Sequence, residues 1–130
     1  MIERRRSDIS GWGVYATVNI PKNKRIIDYR GEKITHKESA TREGRYLKRR
    51  QIWCFTLNRR WVIDAGVGGN VARFINHSCK PNCYSHIADG VIWIRAARTI
   101  RKGEELTYDY NTTGDADIQC QCRPGCKNRL

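Results

Sequence analysis

The densest group of reactive side chains in this sequence lies between residues 73 and 83, which read RFINHSCKPNC. The stretch places two amides, an imidazole and two thiols in a turn-rich segment after a short apolar run. Amide and imidazole groups form directed hydrogen bonds, and thiolates bind metal ions such as Zn²⁺. His77 alone would be interpreted as a structural histidine, so the prediction of a binding site depends on the whole stretch.

A second group of reactive side chains lies at the end of the stretch GEELTYDY, which occupies residues 103–110. It contains the paired tyrosines Tyr108 and Tyr110. Residues at i and i+2 of a β-strand project to the same side, so the two hydroxyls can line one channel. Two ordinary strand residues are the alternative interpretation.

A third group, GWGVYA, occupies residues 11–16. Its two glycines permit close backbone approach to a ligand, and the indole between them offers a flat apolar surface. Taken alone the pattern is weak, because similar glycine turns are common in proteins that bind no ligand there.

The chain has six cysteines, and three of them lie close together near the C-terminus. This clustering, without a secretory signal peptide, favours metal binding over the disulfides of a secreted domain. A redox disulfide among Cys120, Cys122 and Cys126 is the alternative. Cys54 lies in an apolar run and is expected to be a small core residue.

The chain of 130 residues carries a net charge of +12, and this charge is unevenly distributed. Residues 1–60 contain 16 Lys and Arg against 6 Asp and Glu, whereas residues 61–130 contain 9 against 7. Such a field attracts nucleic acid or acidic protein surfaces. Residues 42–60 concentrate the positive charge and are a candidate surface for either partner, with a merely solvated face as the alternative.

The composition excludes several classes of protein. A chain that is 39% hydrophobic and 29% charged is typical of one soluble domain. No apolar stretch approaches the ~20 residues that a membrane helix requires, and no apolar segment of secretory length follows the basic start of the chain. We expect a cytoplasmic, nuclear or nucleoid-associated protein without membrane contact, as a monomer or weak dimer.

Short strands must position the three groups of reactive side chains. Strand-like composition occurs at residues 25–30, 53–57, 61–64, 84–88 and 91–96. The last two runs bracket Asp89 and Gly90, whose residue types tolerate the positive φ of a tight type I′ hairpin turn. A capping box begins at Thr35, and the run from there to about Arg50 predicts one or two helical turns, weakened by Gly44.

Together and in this order, GWGVYA, RFINHSCKPNC, GEELTYDY and the terminal cysteines resemble a SET domain followed by a post-SET zinc segment. The resemblance covers nearly the whole chain, with residues 1–111 as the SET domain and residues 112–130 as the post-SET segment. It implies a mostly β fold of small curved sheets with short helices, in which the C-terminal segment forms a pseudoknot near Asn76. An unrelated small β protein is the alternative.

The resemblance also implies an activity, the transfer of methyl groups from S-adenosylmethionine to protein lysines. Tyr110 would be the catalytic tyrosine, which holds the amine and the methyl group in line. Tyr108 corresponds to a family position that is either Phe or Tyr, where the hydroxyl restricts room and favours monomethylation. The residues implied to hold the methyl donor are Ser10, Gly11, Trp12, Trp53, Asn76, His77 and Gln121.

Two positions depart from the family pattern. Trp53 stands where the family usually has tyrosine, so a hydroxyl is lost and a stronger cation-binding face is gained. The last cysteine spacing is shorter than usual, which leaves Cys83 as an alternative metal ligand. The implied structural Zn²⁺ site has four thiolate ligands, Cys79, Cys120, Cys122 and Cys126.

The implied substrate is a histone or another basic, nucleic-acid-associated protein. Because a basic substrate and a basic chain repel each other at long range, acidic residues of the chain are expected to offset the repulsion. The candidates are Asp64, Asp109, Asp115 and Asp117. The alternative function is a noncatalytic basic module that binds nucleic acid or an acidic protein through residues 42–60 and has no affinity for the methyl donor.

Overall fold

Ten short strands and one α-helix make up the protein in a computed structural model, which describes residues 1–112, 114 and 116–130. The helix α1 covers His36–Lys48, and Val71–Phe74 form a short 3-10 helix. The strands are β1 (Ile2–Arg6), β2 (Trp12–Ala16), β3 (Arg25–Asp28), β4 (Glu32–Thr35), β5 (Cys54–Thr56), β6 (Trp61–Asp64), β7 (Asn76–His77), β8 (Cys83–Ala88), β9 (Val91–Ala96) and β10 (Thr107–Tyr108). No helix in this described part of the chain is long and apolar enough to cross a membrane.

The strands form four small sheets instead of one large sheet. β3, β9 and β8 make one antiparallel sheet, and β4, β6 and β5 make another. β1 and β2 form an antiparallel ribbon, whereas β7 and β10 pair in parallel. The mostly β fold of small sheets is therefore confirmed. The largest fully buried side chains of the core include Ile20, Ile75, Ile92, Ile94, Ile100 and Leu106.

The predicted strands are present, with differences at their ends. β6 covers the predicted residues 61–64, while β5 is shorter than the predicted run 53–57 and β3 ends at Asp28. The hairpin of β8 and β9 turns at Asp89 and Gly90, which have φ values of 52° and 74°. These positive values are those that a type I′ turn requires.

Helix α1 is longer than the one or two turns that the sequence predicted. The Thr35 side chain accepts a hydrogen bond from the Glu38 N–H at 3.2 Å, so the predicted cap is present. The helix nevertheless continues for 13 residues and includes Gly44. Packing against the rest of a protein stabilises most helices of this length, and local propensity does not reveal such packing.

The packing that anchors α1 is a buried ion pair with β6. Asp64 is fully buried, and its carboxylate accepts hydrogen bonds from Arg42 Nη1 at 2.9 Å and from the Tyr46 hydroxyl at 2.8 Å. A third bond comes from the Gly66 N–H at 2.8 Å. The expectation that Asp64 offsets the charge of a basic substrate is wrong, because its charge is already paired inside the fold.

The parallel pair of β7 and β10 brings two of the motifs together. Thr107 lies opposite Asn76, and Tyr108 lies opposite His77. The Ser78 N–H also donates to the Tyr108 carbonyl at 3.2 Å. The C-terminal strand thus lies beside the Asn76 segment, as the resemblance implies, and passage of the chain through a loop stays a prediction.

Replacement of the carboxylate in Asp64→Asn should destabilise the fold by about 3 kcal/mol, because the fully buried carboxylate accepts from Arg42, Tyr46 and Gly66 and an amide cannot accept from all three. Glu104→Gln is the matched control, since Glu104 pairs with an exposed Arg98 and should change stability by less than about 1 kcal/mol. Urea unfolding followed by circular dichroism measures both values. Equal destabilisation by the two variants would contradict the account of how α1 is anchored.

Candidate functional site

A cavity of about 300 Å³ opens between the β1–β2 turn, β7 and the C-terminal segment. This volume is at the lower end of the range typical of small-molecule sites. All seven residues that the resemblance assigned to the methyl donor line this cavity: Ser10, Gly11, Trp12, Trp53, Asn76, His77 and Gln121. Tyr110 lines it as well, so the candidate catalytic residue shares a wall with the candidate binding residues.

Asn76 is fixed at one end of the cavity by hydrogen bonds to the glycine turn. Its Nδ2 donates to the carbonyls of Ser10 at 3.2 Å and Trp12 at 2.9 Å. It also donates to Glu105 Oε2 at 2.9 Å. Gly11 has a φ of +48°, which a larger residue rarely adopts. The first and second motifs are therefore one structural unit in the folded chain.

The two predicted tyrosines lie together in an aromatic cluster beside the cavity. Tyr110 follows β10 instead of belonging to it, yet its ring centroid is 4.8 Å from that of Tyr108. Tyr108 stacks on Phe55 at 6.0 Å, and Phe55 contacts Tyr29 at 5.1 Å. Burial raises the pKa of both Tyr108 and Tyr110, so both hydroxyls are neutral at physiological pH.

The orientation of Tyr110 is set by two hydrogen bonds. Its hydroxyl donates to the Ile75 carbonyl, and its N–H donates to His77 Nδ1 at 3.0 Å. Because the hydroxyl proton is already engaged, the Tyr110 oxygen is left as an acceptor for a ligand. The sequence predicted the presence of this tyrosine in the site but not the direction of its hydroxyl.

The His77 ring helps to fix the position of Tyr110. Because Nδ1 accepts from the Tyr110 N–H, Nε2 carries the ring proton and lies 3.5 Å from Cys79 Sγ. Burial lowers the pKa of His77, with the charge of Asp109 opposing the shift, which agrees with a neutral ring. Both ring nitrogens thus contact protein atoms, and a ligand in the cavity would meet His77 through its backbone or its ring face.

Trp53 lies in the cavity wall. The Arg73 guanidinium lies over its ring at 5.1 Å from the centroid, and the Tyr46 ring packs edge-on at 5.2 Å. One cation already covers an indole face, so that face does not serve a substrate cation. The Trp53 carbonyl accepts from the Tyr29 hydroxyl at 2.8 Å, which ties Trp53 to the aromatic cluster.

Four cysteines meet next to the cavity. The Sγ atoms of Cys79, Cys120, Cys122 and Cys126 all lie within 4.8 Å of one another. Cys79 Sγ is 3.8 Å from Cys120 Sγ and 3.9 Å from Cys126 Sγ. Zn–S bonds of ~2.3 Å in a tetrahedron give an S–S separation of about 3.8 Å, so these residues fit a structural zinc ion. All six cysteines are free in this structure, and a redox disulfide among Cys120, Cys122 and Cys126 stays the alternative.

The remaining cysteines lie outside the cluster. Cys83 is buried in β8 and is not among the four cysteines whose Sγ atoms lie together, so it is a core thiol and not the alternative ligand. Burial raises the pKa of Cys54 to about 11, as expected of a residue packed in an apolar strand. Asn128 Nδ2 donates to Cys79 Sγ at 3.1 Å, a contact of the kind that orients metal ligands.

Residues 42–60 carry a basic surface, but this surface is smaller than expected. Arg42 does not contribute to it, because this guanidinium pairs with Glu32, Glu38 and Asp64. The exposed cations of the segment are Arg45, Lys48, Arg49, Arg50, Arg59 and Arg60. Of the expected acidic residues, Asp109 and Asp117 are exposed, and Asp115 lies outside the described residues.

Sequence reasoning missed three residues that shape the site. Arg73 lines the cavity, Tyr29 belongs to the aromatic cluster, and Glu105 binds Asn76. Each lies within or beside a stretch that had been singled out, but ordinary strand and turn patterns carry no signal for these contacts. Only the tertiary arrangement shows what their side chains touch.

The comparisons with known proteins agree with this geometry. Residues 11–111 match the family model of the SET domain. A histone-lysine N-methyltransferase, H3 lysine-4 specific, of Emericella nidulans is 46% identical over 136 aligned positions, which cover 96% of this chain and 11% of that protein. Histone-lysine N-methyltransferase set1 of Dictyostelium discoideum is 40% identical over 137 positions, which cover 99% of this chain and 9% of that protein.

A solved structure shows the same fold. A humanized mutant of the Chaetomium thermophilum Polycomb Repressive Complex 2 bound to the inhibitor GSK126 aligns with a TM-score of 0.76 and 30% identity. The alignment covers 85% of this chain and 15% of that one, so the likeness is confined to one part of the larger protein. Because the family match includes all three motifs and most of the chain, this chain belongs to the SET domain family.

Proposed function

We propose that this chain is a protein-lysine N-methyltransferase that uses S-adenosylmethionine. The observation that carries the proposal is the convergence of seven donor-site residues on one cavity whose wall includes Tyr110, with Tyr108 directly behind it. A cavity of about 300 Å³ beside a buried aromatic cluster suits a donor that must meet an amine away from water. The chain spans about 11% of the length of the Emericella relative, so the activity of the whole relative is not transferred by identity alone.

The chain's own residues address the protonation of the substrate. A lysine has a pKa of ~10.4 and is almost wholly protonated at neutral pH, so its nitrogen has no free electron pair. Tyr110 is neutral and its hydroxyl donates a hydrogen bond to the Ile75 carbonyl, so it is not a base at that pH. We infer that desolvation in the buried aromatic cluster and the positive charge of the bound donor together disfavour the ammonium, against the opposing charge of Glu105, and that water carries its proton away.

Tyr110 then positions the neutral amine. Its oxygen is the free acceptor at the cavity wall, and it can receive an N–H of the amine while the nitrogen electron pair faces the donor. The same oxygen can accept weak C–H contacts from a methyl group and so align it. When bound, S-adenosylmethionine supplies an electrophilic methyl group on a positively charged sulfur.

The number of methyl groups added should be small. Tyr108 is buried against Phe55 and Tyr110, behind the residues that line the cavity. We propose that its hydroxyl limits the room left for a methylated amine. We therefore favour monomethylation. Trp53 has no hydroxyl that could take up room beside the amine. The Tyr29 hydroxyl, which donates to the Trp53 carbonyl, belongs to the aromatic cluster that contains Tyr108.

The four clustered thiols would hold zinc as a structural crosslink. The ion would join Cys79, which follows β7, to the C-terminal segment with Cys120, Cys122 and Cys126. Residues 112–130 would accordingly act as a post-SET segment that closes the cavity, to which Gln121 belongs. Loss of the metal should cost donor affinity as well as stability, because the same segment forms the cavity wall.

We propose a histone or another basic, nucleic-acid-associated protein as the substrate, and a nuclear or nucleoid location. The relatives named as histone-lysine N-methyltransferases support this class of substrate. The exposed cations of residues 42–60 suit the nucleic acid that accompanies such a substrate better than the basic substrate itself. A monomer or weak dimer stays our expectation.

Tyr110→Phe should lower methyl transfer about 100-fold without unfolding the domain, because it removes one oriented polar group from the reacting amine. Tyr84→Phe is the matched control, since Tyr84 lies on β8 with its hydroxyl bonded to Asn23 at the surface. Transfer of labelled methyl groups to a lysine-rich protein measures both rates. Equal rates in the two variants would remove Tyr110 from its role.

Tyr108→Phe should raise the share of dimethylated and trimethylated product, because loss of the hydroxyl opens room beside the amine. Mass spectrometry of the modified lysine after complete reaction measures this share, with wild type and Tyr84→Phe as controls. A product that stays monomethylated in Tyr108→Phe would show that another residue limits the reaction.

Cys122→Ser should remove most of the zinc that the wild-type protein binds, since a four-thiolate site loses one ligand. Cys83→Ser is the matched control, because Cys83 is buried outside the cluster and its loss should leave the zinc content unchanged. Elemental analysis of the purified proteins gives the metal content per chain. Zinc retained by Cys122→Ser and lost by Cys83→Ser would reverse the assignment of ligands.

A further inference from the structure

The Glu105 carboxylate lies at the centre of a hydrogen-bond network behind the donor cavity. Both of its oxygens lie 2.8 Å from the Ser7 hydroxyl, and Oε1 accepts from the Tyr15 hydroxyl at 3.1 Å. Oε2 accepts from Asn76 Nδ2 at 2.9 Å. One carboxylate therefore ties together the β1–β2 ribbon and β7, which carry the first two motifs.

The glycine turn is shaped around this carboxylate. A Cβ atom at Gly13 would lie 2.3 Å from Glu105 Oε2 and 2.9 Å from Ser7 Cβ. Contacts this short would force Glu105 or Ser7 to shift, so the second glycine of the motif leaves the space that Glu105 occupies. Gly13 was expected to permit close approach of a ligand. In the structure it permits close approach of the negatively charged Glu105 side chain.

Glu105 also fixes which end of the Asn76 amide a ligand meets. Nδ2 faces four acceptors, which are Ser7 Oγ, the carbonyls of Ser10 and Trp12, and Glu105 Oε2. With the amide nitrogen held among these acceptors, Oδ1 is the end available to a ligand in the cavity. An acceptor there suits a donor group such as an ammonium or an exocyclic amine.

The charges around the cavity otherwise disfavour a cationic ligand. Three guanidiniums line it, those of Arg49, Arg50 and Arg73, and no acidic side chain in the described residues does so. Two carboxylates lie directly behind lining side chains. Asp109 is half exposed and 3.7 Å from His77 Nδ1, whereas Glu105 is partly buried and bonded to Asn76. Water and salt screen the charge of Glu105 less than that of Asp109.

The charge of Glu105 acts on the Tyr110 hydroxyl in the cavity wall. Burial is the main cause that raises the pKa of the Tyr110 hydroxyl, and the charge of Glu105 raises it further. The same field must favour a positive charge placed near Tyr110, since a negative charge that disfavours a phenolate favours a cation.

We propose that Glu105 is a positioning and specificity residue, which orients Asn76 and makes the cavity prefer a positively charged donor to its neutral product. This inference rests on the proposed methyl transfer. In that reaction the bond from sulfur to the methyl carbon breaks and a bond from the lysine nitrogen to that carbon forms. The sulfur keeps the electron pair, so the sulfonium becomes a neutral thioether. Loss of this charge weakens the attraction of Glu105 and favours release of the product.

Calorimetric titration of the zinc-loaded protein with S-adenosylmethionine and with S-adenosylhomocysteine tests the proposal. Glu105→Gln should weaken binding of the sulfonium compound about tenfold, which is ~1.4 kcal/mol, and binding of the thioether by less than about threefold. Glu105→Asp, which keeps the charge, should retain the preference for the sulfonium. Glu104→Gln is the matched control, because the neighbouring Glu104 pairs with Arg98 at the surface, and it should leave both affinities unchanged.

Other outcomes overturn the proposal. Equal weakening of both compounds in Glu105→Gln would make Glu105 a purely structural residue, and no weakening would remove it from the site. The affinities of Asp109→Asn for the two compounds provide a test that does not depend on how Glu105→Gln folds. If Asp109→Asn abolishes the preference for the sulfonium, the charge selection belongs to Asp109 and not to Glu105. Wild-type protein that binds neither compound would instead contradict the proposed function itself.

Discussion

The parallel pairing of β7 with β10 is the constraint on which the rest of the site depends. It is two residues long on each strand, yet it sets Asn76 beside Thr107 and His77 beside Tyr108. Asn76 then reaches the glycine turn, His77 reaches both Tyr110 and Cys79, and the proposed donor cavity lies between these contacts. Neither strand would be stable alone, because so short a pair needs burial on its flanks.

The buried core around this pair explains why so small a chain can hold a precise site. Fully buried isoleucines pack behind the strands, and the Asp64 ion pair fixes α1 against β6. A small domain buries a modest fraction of its surface and often needs a metal or another crosslink. The four-thiol cluster lies where such a crosslink closes the C-terminal segment over the cavity.

Local patterns predicted much of the fold, whereas the residues of the proposed donor site came from the resemblance to the SET family. The hairpin at Asp89 and Gly90 and the cap at Thr35 follow from the chemistry of single turns, which a sequence displays directly. The seven donor-site residues were identified from motifs that resemble a known family, and all of them line one cavity.

What the sequence did not predict depends on contacts between distant residues. The length of α1 depends on Asp64, which is 22 positions away from Arg42. The role of Glu105 depends on Asn76, 29 positions away, and on Ser7, 98 positions away. The direction of the Tyr110 hydroxyl depends on a carbonyl 35 positions earlier. No periodicity or composition encodes such pairs, because they arise only when the sheets pack together.

The central claim is that one cavity joins a donor site to the aromatic cluster at Tyr110. A crystal structure of the zinc-loaded protein with S-adenosylhomocysteine tests it most directly. The account predicts that the compound fills the cavity between Trp12 and Gln121 and that its sulfur faces the Tyr110 hydroxyl. A bound compound whose sulfur points away from Tyr110, or one that lies outside this cavity, would contradict the account.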